Sequence, residues 1–197
     1  MEIYIAIGFF VLLVIYSIAV YNKLVRLKTY FENSFQQIDV HLKLRLDLIP
    51  KLISSAKAYM THEAETFQKV TEARSGLESA QKAAALKPGD TTAIKALAGA
   101  EAVFGEAMNG FNLRVEAYPE LKADQNMRQL SEEMTTVENK IAYARQAYND
   151  SIQQFNEYKK TFPPIIFASI LGFSEDAQSL VYEEDRSTLM KGPEVSF

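Results

Sequence analysis

Residues 3–21 read IYIAIGFFVLLVIYSIAVY and contain no charged side chain. Glu2 precedes this run, and Lys23 follows it after a single asparagine. At about 1.5 Å of helix rise per residue, roughly 20 apolar residues are enough to cross a hydrocarbon core that is ~30 Å thick. The sequence therefore predicts a transmembrane anchor over residues 1–22.

A cleaved signal peptide and a buried core helix explain the same run less well. A signal peptide carries basic residues before its apolar core and small residues at its cleavage site, but here nothing basic precedes the run and its end reads IAVYN. A core helix usually shows a polar stripe, whereas the only residues in this run that are not plainly apolar are Gly8, Ser17 and the tyrosines. An uncleaved anchor is the favoured interpretation.

The residues that flank the run predict its orientation. Lys23, Arg26 and Lys28 follow it, and no lysine or arginine precedes it. Basic flanks prefer the cytoplasmic side of a membrane. We therefore expect a single-pass protein of the cell membrane with its N-terminus outside and its body in the cytoplasm.

Composition narrows the function classes that the body of the chain can belong to. The chain has no cysteine, which excludes a disulfide framework, a thiolate metal site and a cysteine nucleophile. Its formal net charge of −4 argues against nucleic acid as a partner, because binding to a phosphate backbone favours a basic surface. We expect no cofactor.

The body of the chain keeps an apolar spacing of three to four residues, which is typical of helices that bury one side. The first such stripe consists of Leu24, Leu27, Phe31, Phe35, Ile38, Leu42, Leu46 and Ile49. In a later stripe, from Ile94 to Tyr118, only Glu101 breaks the apolar character. Strand signals are absent, so the sequence predicts an all-α fold.

Proline, glycine and aspartate divide this helical body into segments. We expect a kink or short break at residues 47–50, a turn at residues 87–90, and a last helix from about Asp124 to Thr161. Long stripes joined by short turns favour antiparallel packing. The predicted architecture is an N-terminal transmembrane helix that continues into an antiparallel long-helix bundle over residues 23–162.

Residues 163–197 differ from the bundle. Two prolines end the last helix, and residues 165–173 form an apolar run that is too short to span a bilayer. Two alternatives follow for this run: it packs on the bundle, or it lies at the membrane surface. The acidic residues after Ser174 are expected to be mobile.

Four charged residues cluster before Pro50 and form a candidate partner surface: Asp39, Lys43, Arg45 and Asp47. Asp39 and Lys43 have the i, i+4 spacing of a helix ion pair, and Arg45 and Asp47 flank the expected kink. The cluster is explained either by helix pairing and capping or by the docking of another protein.

A second set of polar residues recurs at steps of seven and four along the last helix: Glu138, Arg145, Asn149 and Asn156. These residues share one side of the helix beside the apolar stripe. We expect them to form a buried polar network that fixes helix register. Lys159, near the helix end, is expected to contribute little to stability.

The two histidines do not predict a metal site. His62 and Glu63 are adjacent, so on a helix they point about 100° apart, and neither they nor His41 and Asp47 match a known ligand spacing. The sequence also lacks a glycine-rich phosphate loop and a nucleophile–base pattern. We therefore expect no catalytic, cofactor-binding or metal-binding residues.

Several sequence blocks together resemble the LemA family of bacterial membrane proteins. They are Tyr21–Val25, Gln37–Pro50, Tyr59, His62–Glu63, Thr71–Arg74, Glu116–Ala123, Glu138–Ala142, Ala144–Arg145, Tyr148–Asn149, Phe155–Asn156, Phe162–Pro163 and Gly172–Phe173. This resemblance implies an N-terminal anchor, a short external N-terminus, a cytoplasmic body of long helices, and no enzyme activity.

These observations lead to two hypotheses for function. The first is a non-enzymatic, membrane-anchored scaffold or adaptor of the bacterial envelope, which presents its bundle to other membrane or envelope proteins or to a second copy of itself. The alternative is a lipid-binding or membrane-shaping protein that uses residues 163–173 as a second membrane contact.

Overall fold

The computed structural model describes residues 1–182, and within that range it contains helices and no strand. The helices are α1 (Glu2–Lys57), α2 (Ala64–Leu86), α3 (Thr91–Glu116), α4 (Pro119–Ala123), α5 (Gln125–Lys160) and α6 (Pro164–Ile170). The all-α prediction and the long N-terminal helix that enters a bundle are both confirmed.

The two parts of α1 have different surroundings. Its first 19 residues, from Glu2 to Val20, are exposed except for half-buried Ser17 and buried Val20. From Val20 onward a buried side chain recurs every three or four residues as far as Leu52. Within the described chain, α1 alone is long and apolar enough to cross a membrane, and only 6% of its most apolar window is buried. These properties fit a membrane anchor.

The break expected at residues 47–50 is absent. α1 continues through Pro50 and ends at Lys57, and residues 58–63 form the first connection. A proline inside a helix removes a hydrogen bond and costs about 3 kcal/mol. Leu48, Ile49 and Leu52 are buried on both sides of Pro50, and burial of each such side chain gains about 1.5–3 kcal/mol. Packing therefore outweighs the proline, which itself is exposed.

The four long helices alternate in direction. α1 packs along α5, with ring centroids 5.3 Å apart for Phe31 and Phe155 and 5.4 Å apart for Phe35 and Tyr148. α2 and α3 form a second antiparallel pair. Arg74 on α2 joins the pairs by donating a hydrogen bond to the carbonyl of Leu46 on α1 at 2.8 Å.

The expected turn at residues 87–90 is confirmed, and so is the start of the last helix. Asp90 caps α3 by accepting a hydrogen bond from the amide of Ala93 at 2.8 Å. Asp124 caps α5 in the same way, through the amide of Met127 at 2.9 Å. Gly89 has a φ of +87°, a backbone conformation that favours glycine. A Cβ atom there would also lie 3.1 Å from the Phe31 ring, so both the backbone conformation and the available space favour glycine at this turn.

The chain returns along α5 after α6. Residues 175–182, here called the strap, are extended, and Leu180 within them is fully buried. The amide of Gln178 donates a hydrogen bond to the carbonyl of Gly89 at 2.9 Å, which ties the strap to the α2–α3 turn. The expectation of a mobile segment after Ser174 is thus wrong for the strap, and for residues 183–197 it lies outside the described residues.

Candidate functional site

A groove runs between α3 and α5, which do not pack closely against each other. Its volume is about 340 Å³. Apolar side chains and glycine from the two walls and from α1 line it: Leu52, Phe104, Gly105, Met108, Phe111, Met127 and Met134. Asn109, Asn112, Ser131, Thr135 and Glu138 add polar groups.

A buried ion pair lies on the floor of this groove. A terminal guanidinium nitrogen of Arg45 on α1 donates to a carboxylate oxygen of Glu101 on α3, and the two residues are 6% and 7% exposed. The guanidinium carbon also lies 4.8 Å from the centre of the Phe104 ring. Among residues 1–182, no group accepts a hydrogen bond from Arg45 Nε. The pair joins α1 to α3 at the floor of the groove.

Glu138 lies on the α5 wall of the groove and remains exposed at its surface. Loss of solvent around it raises the pKa of the Glu138 carboxyl above its ordinary value; the charge of Arg45 opposes that effect and the charge of Glu101 adds to it. The charged residues that line the groove are Glu101, Glu138 and Arg45, so its formal net charge is negative.

The charged cluster before Pro50 does not form one surface. Lys43 and Asp47 are exposed, and half-buried Asp39 accepts a hydrogen bond from the side-chain amide of Gln81 on α2 at 3.0 Å. Arg45 follows Lys43 by two residues, or about 200° around the helix, so it points into the bundle. Arg45 therefore does not share a surface with Lys43 and Asp47, and it lines the groove from inside.

The predicted buried network of Glu138, Arg145, Asn149 and Asn156 also divides. Glu138 faces the groove, whereas the other three hold the strap. The Asn149 side chain donates to the carbonyl of Leu180 at 3.0 Å and accepts from its amide at 2.8 Å. Asn156 does the same with Ala177, at 2.8 Å and 2.9 Å.

These contacts replace the expected role in helix register with a different one. Each asparagine satisfies both backbone groups of one strap residue, as a neighbouring strand would. Arg145 lies with its guanidinium carbon 4.0 Å from the centre of the Tyr182 ring. The regular spacing along α5 follows the strap, not a facing helix.

Lys159 is a structural residue that the sequence analysis underestimated. It is 5% exposed, and its ammonium group donates to the carbonyl of Glu175 at 2.5 Å and pairs with Asp176 at 2.6 Å. Hydrogen bonds from Lys159 and then from Lys160 hold the pKa of the Asp176 carboxyl below its ordinary value. Ion pairs therefore connect the C-terminal end of α5 to the strap.

A comparison with known protein families identifies the chain. The family model described as LemA family matches residues 34–197. The chain belongs to the LemA family. It is also 26% identical over 162 residues to a curated relative, Protein LemA of Metamycoplasma hominis, and the match covers 78% of this chain and 69% of that protein.

The LemA match begins inside α1, after the apolar run and the first turns of the bundle, and it contains helices α2 to α6 and the strap. The matched residues thus lie entirely outside the candidate membrane span. Three blocks that carry the LemA resemblance lie where the tail of the chain packs: Tyr148–Asn149, Phe155–Asn156 and Gly172–Phe173.

Two other features of this LemA chain bear on chemistry. Glu101 was visible in the sequence as the one acidic residue in an apolar stripe, and that anomaly was the signal for its buried partner. Within residues 1–182, no group of three histidine, aspartate or glutamate residues is arranged to hold a metal ion. His62 and Glu63 lie in the connection before α2, where Glu63 approaches Arg114 at 3.5 Å.

Proposed function

We propose that this protein is a non-enzymatic, membrane-anchored scaffold that presents the α3–α5 groove to another membrane or envelope protein. The observation that carries the proposal is the continuity of α1. One helix contains both the apolar run that is long enough to cross a bilayer and the central buried stripe of the bundle.

Such continuity fixes the position of the bundle relative to the membrane. The 35 residues from Lys23 to Lys57 extend about 52 Å as one helix, with no connecting loop at the membrane boundary. A partner that docks on the bundle is therefore held at a defined height. The basic residues Lys23, Arg26 and Lys28 support a cytoplasmic position for the bundle.

The chemistry of the groove supports one class of occupant, an amphipathic helix that carries a basic residue. Met108, Met127 and Met134 supply flexible side chains that adapt to different apolar surfaces. An apolar helix face lying in a hydrophobic groove is a recurring mode of peptide recognition. The acidic balance of Glu101 and Glu138 against Arg45 favours a basic residue at the rim.

A non-enzymatic role is supported by the kind of polar residues that the groove holds. The charges of its one buried ion pair, Arg45 and Glu101, neutralise each other. The remaining polar side chains of the groove are amides, hydroxyls and the partly exposed Glu138. This set suits recognition by hydrogen bonds and charge better than nucleophilic attack.

Site-specific photo-crosslinking in native membranes tests the proposal. A photo-reactive amino acid replaces Thr135, which is exposed in the groove, or Lys140, which is exposed on the same helix outside it. We expect a discrete crosslinked protein from position 135, none from position 140, and loss of the product when Glu138→Lys is added.

Equal crosslinking at both positions, or none at position 135, would contradict the groove as the docking site. A product of twice the mass of this chain would instead identify a second copy as the occupant. Mass spectrometry of the product distinguishes these results.

The lipid-binding alternative is favoured by a separate observation, the exposed apolar side of α6. It concerns a different part of the molecule and requires no change to the scaffold proposal.

A further inference from the structure

We infer that α6 lies in the membrane–water interface beside the anchor, with its outer side in contact with lipid, and so fixes how the bundle is oriented on the bilayer. This inference rests on the proposed anchoring role of α1. It names the lipid bilayer as the occupant of a surface that the bundle leaves uncovered.

The inner side of α6 and the residues that follow it pack against the end of the candidate span. The Phe167 ring meets the Tyr16 ring edge to face, with centroids 5.6 Å apart, and Phe173 meets Tyr21 at 5.9 Å. Ala168 between them is 2% exposed. α6 is thus held at the level of Tyr16–Tyr21 on α1.

The outer side of α6 is apolar and exposed. Three large side chains of α6 form it, with exposed fractions of 50% for Ile165, 53% for Ile166 and 81% for Ile170. Ser169 is the one exposed polar residue on this helix, and Phe162, in the turn before α6, is 79% exposed. No charged residue occurs between Lys160 and Glu175. A contiguous apolar patch of this kind marks a contact with a partner or a membrane.

The position along α1 selects the membrane as that contact. Tyr16 lies seven residues before Lys23, or about 10 Å along the helix, and Tyr21 lies about 3 Å before it. If the uncharged run fills the hydrocarbon core, α6 therefore lies at the boundary on the side of the bundle. Interfacial helices bury their apolar side by about 5–10 Å at that depth.

The charges beside α6 suit the same location. Lys23 and Arg26 are exposed on the next turns of α1. Basic side chains at this level meet the lipid headgroups. The span and α6 therefore contact the bilayer at two separate points, and the second point restricts rotation and tilt of the bundle.

Depth-dependent fluorescence quenching tests the inference on the full chain. Because the chain has no cysteine, a single Ile166→Cys or Ile170→Cys variant carries one environment-sensitive probe. Val11→Cys reports the span, and Leu113→Cys is an exposed apolar control at the far end of α3. Each labelled protein is reconstituted in phosphatidylcholine–phosphatidylglycerol nanodiscs, with and without brominated acyl chains.

We expect brominated lipid to reduce the emission at positions 11, 166 and 170 and to leave position 113 unchanged. Quenching at 11 without quenching at 166 and 170 would overturn the interfacial position of α6 while retaining the anchor. Absence of quenching at 11 would overturn the anchor and with it this inference. Shielding of 166 and 170 from an aqueous quencher, without lipid quenching, would show a protein occupant and would also overturn the inference.

Discussion

The two parts of α1 have the same backbone and opposite surfaces. Residues 3–19 are apolar on nearly every side and exposed apart from half-buried Ser17, whereas residues 23–57 bury one apolar stripe and expose charged side chains on the opposite side. A helix that is apolar all round requires an apolar solvent, and a helix with one stripe requires a protein neighbour. The distribution of apolar side chains, not helix formation, therefore distinguishes a part of α1 that fits lipid from a part that packs against protein.

The bundle part of α1 is covered by elements that come late in the chain. α5 and α6 both pack against it, and Gln178 of the strap reaches the α2–α3 turn. Among the described residues, the ring contacts of the membrane part lie at its end, where Tyr16 meets Phe167 and Tyr21 meets Phe173. Stability of the bundle should therefore depend on residues of the second part and hardly at all on those of the first.

The largest effect is expected from the ion pair in the bundle part. Arg45→Ala leaves the Glu101 carboxylate buried without its partner, which typically costs about 3–5 kcal/mol. Lys43→Ala, two residues away and exposed, should stay within about 0.5 kcal/mol of the parent. Thermal unfolding of the full chain in nanodiscs, followed by circular dichroism, measures both; equal stability would contradict the buried pair.

Two leucines of α1 provide the direct contrast between its parts. Leu42 is fully buried in the bundle, so Leu42→Ala should lower the free energy of unfolding by about 2–5 kcal/mol. Leu12 is exposed in the apolar run, and Leu12→Ala should leave unfolding of the bundle unchanged. A matching loss in the Leu12 variant would show that the first part packs within the bundle.

A moderate effect is expected where the strap meets α5. Asn156→Ala removes two hydrogen bonds to Ala177, and each partly buried group left unsatisfied costs up to about 1–3 kcal/mol. Asn139→Ala, at an exposed position on the same helix, is the matched control. Increased hydrogen exchange at residues 177–180 in the Asn156 variant alone would confirm that the asparagine holds the strap, and no difference between the variants would refute it.

The smallest effect is a pH dependence at Glu138. The pKa of Glu138 is raised in the folded state, so ionisation disfavours the fold, and stability falls as pH rises from the unfolded value near 4.5 through the raised pKa. Glu138→Gln should remove that fall. Because the group is partly exposed, we expect a gain below about 0.5 kcal/mol at pH 7 and none at pH 3. A loss of stability at pH 7 would contradict this sign.

Local patterns were sufficient to predict the apolar stripes of the bundle and two of its helix starts, but not the connection at residues 58–63. The spacing of apolar residues gave the stripes from Leu24 to Ile49 and from Met134 to Phe155, and Asp90 and Asp124 marked two helix starts. Pro50 misled the sequence analysis because a local penalty was weighed without the buried leucines around it. Tertiary packing decides that position, and the packing partners are distant in sequence.

The candidate site depended still more on distant residues. Arg45 and Glu101 are 56 positions apart, and nothing local shows that they meet. The periodicity of Asn149 and Asn156 was correctly noticed, but it is the same whether a helix or an extended strap lies opposite. Sequence spacing assigns side chains to a face, and it does not identify what covers that face.

The continuity of α1 across the membrane boundary is the central claim, and a spin–spin distance tests it most directly. Spin labels on Val11→Cys and Gln36→Cys lie on the same side of α1, 25 residues apart, because 25 residues make almost seven whole turns. In nanodiscs the account predicts one narrow distance distribution near 38 Å, from a rise of about 1.5 Å per residue. A broad distribution, or a markedly shorter distance, would show a joint between anchor and bundle and would contradict the account.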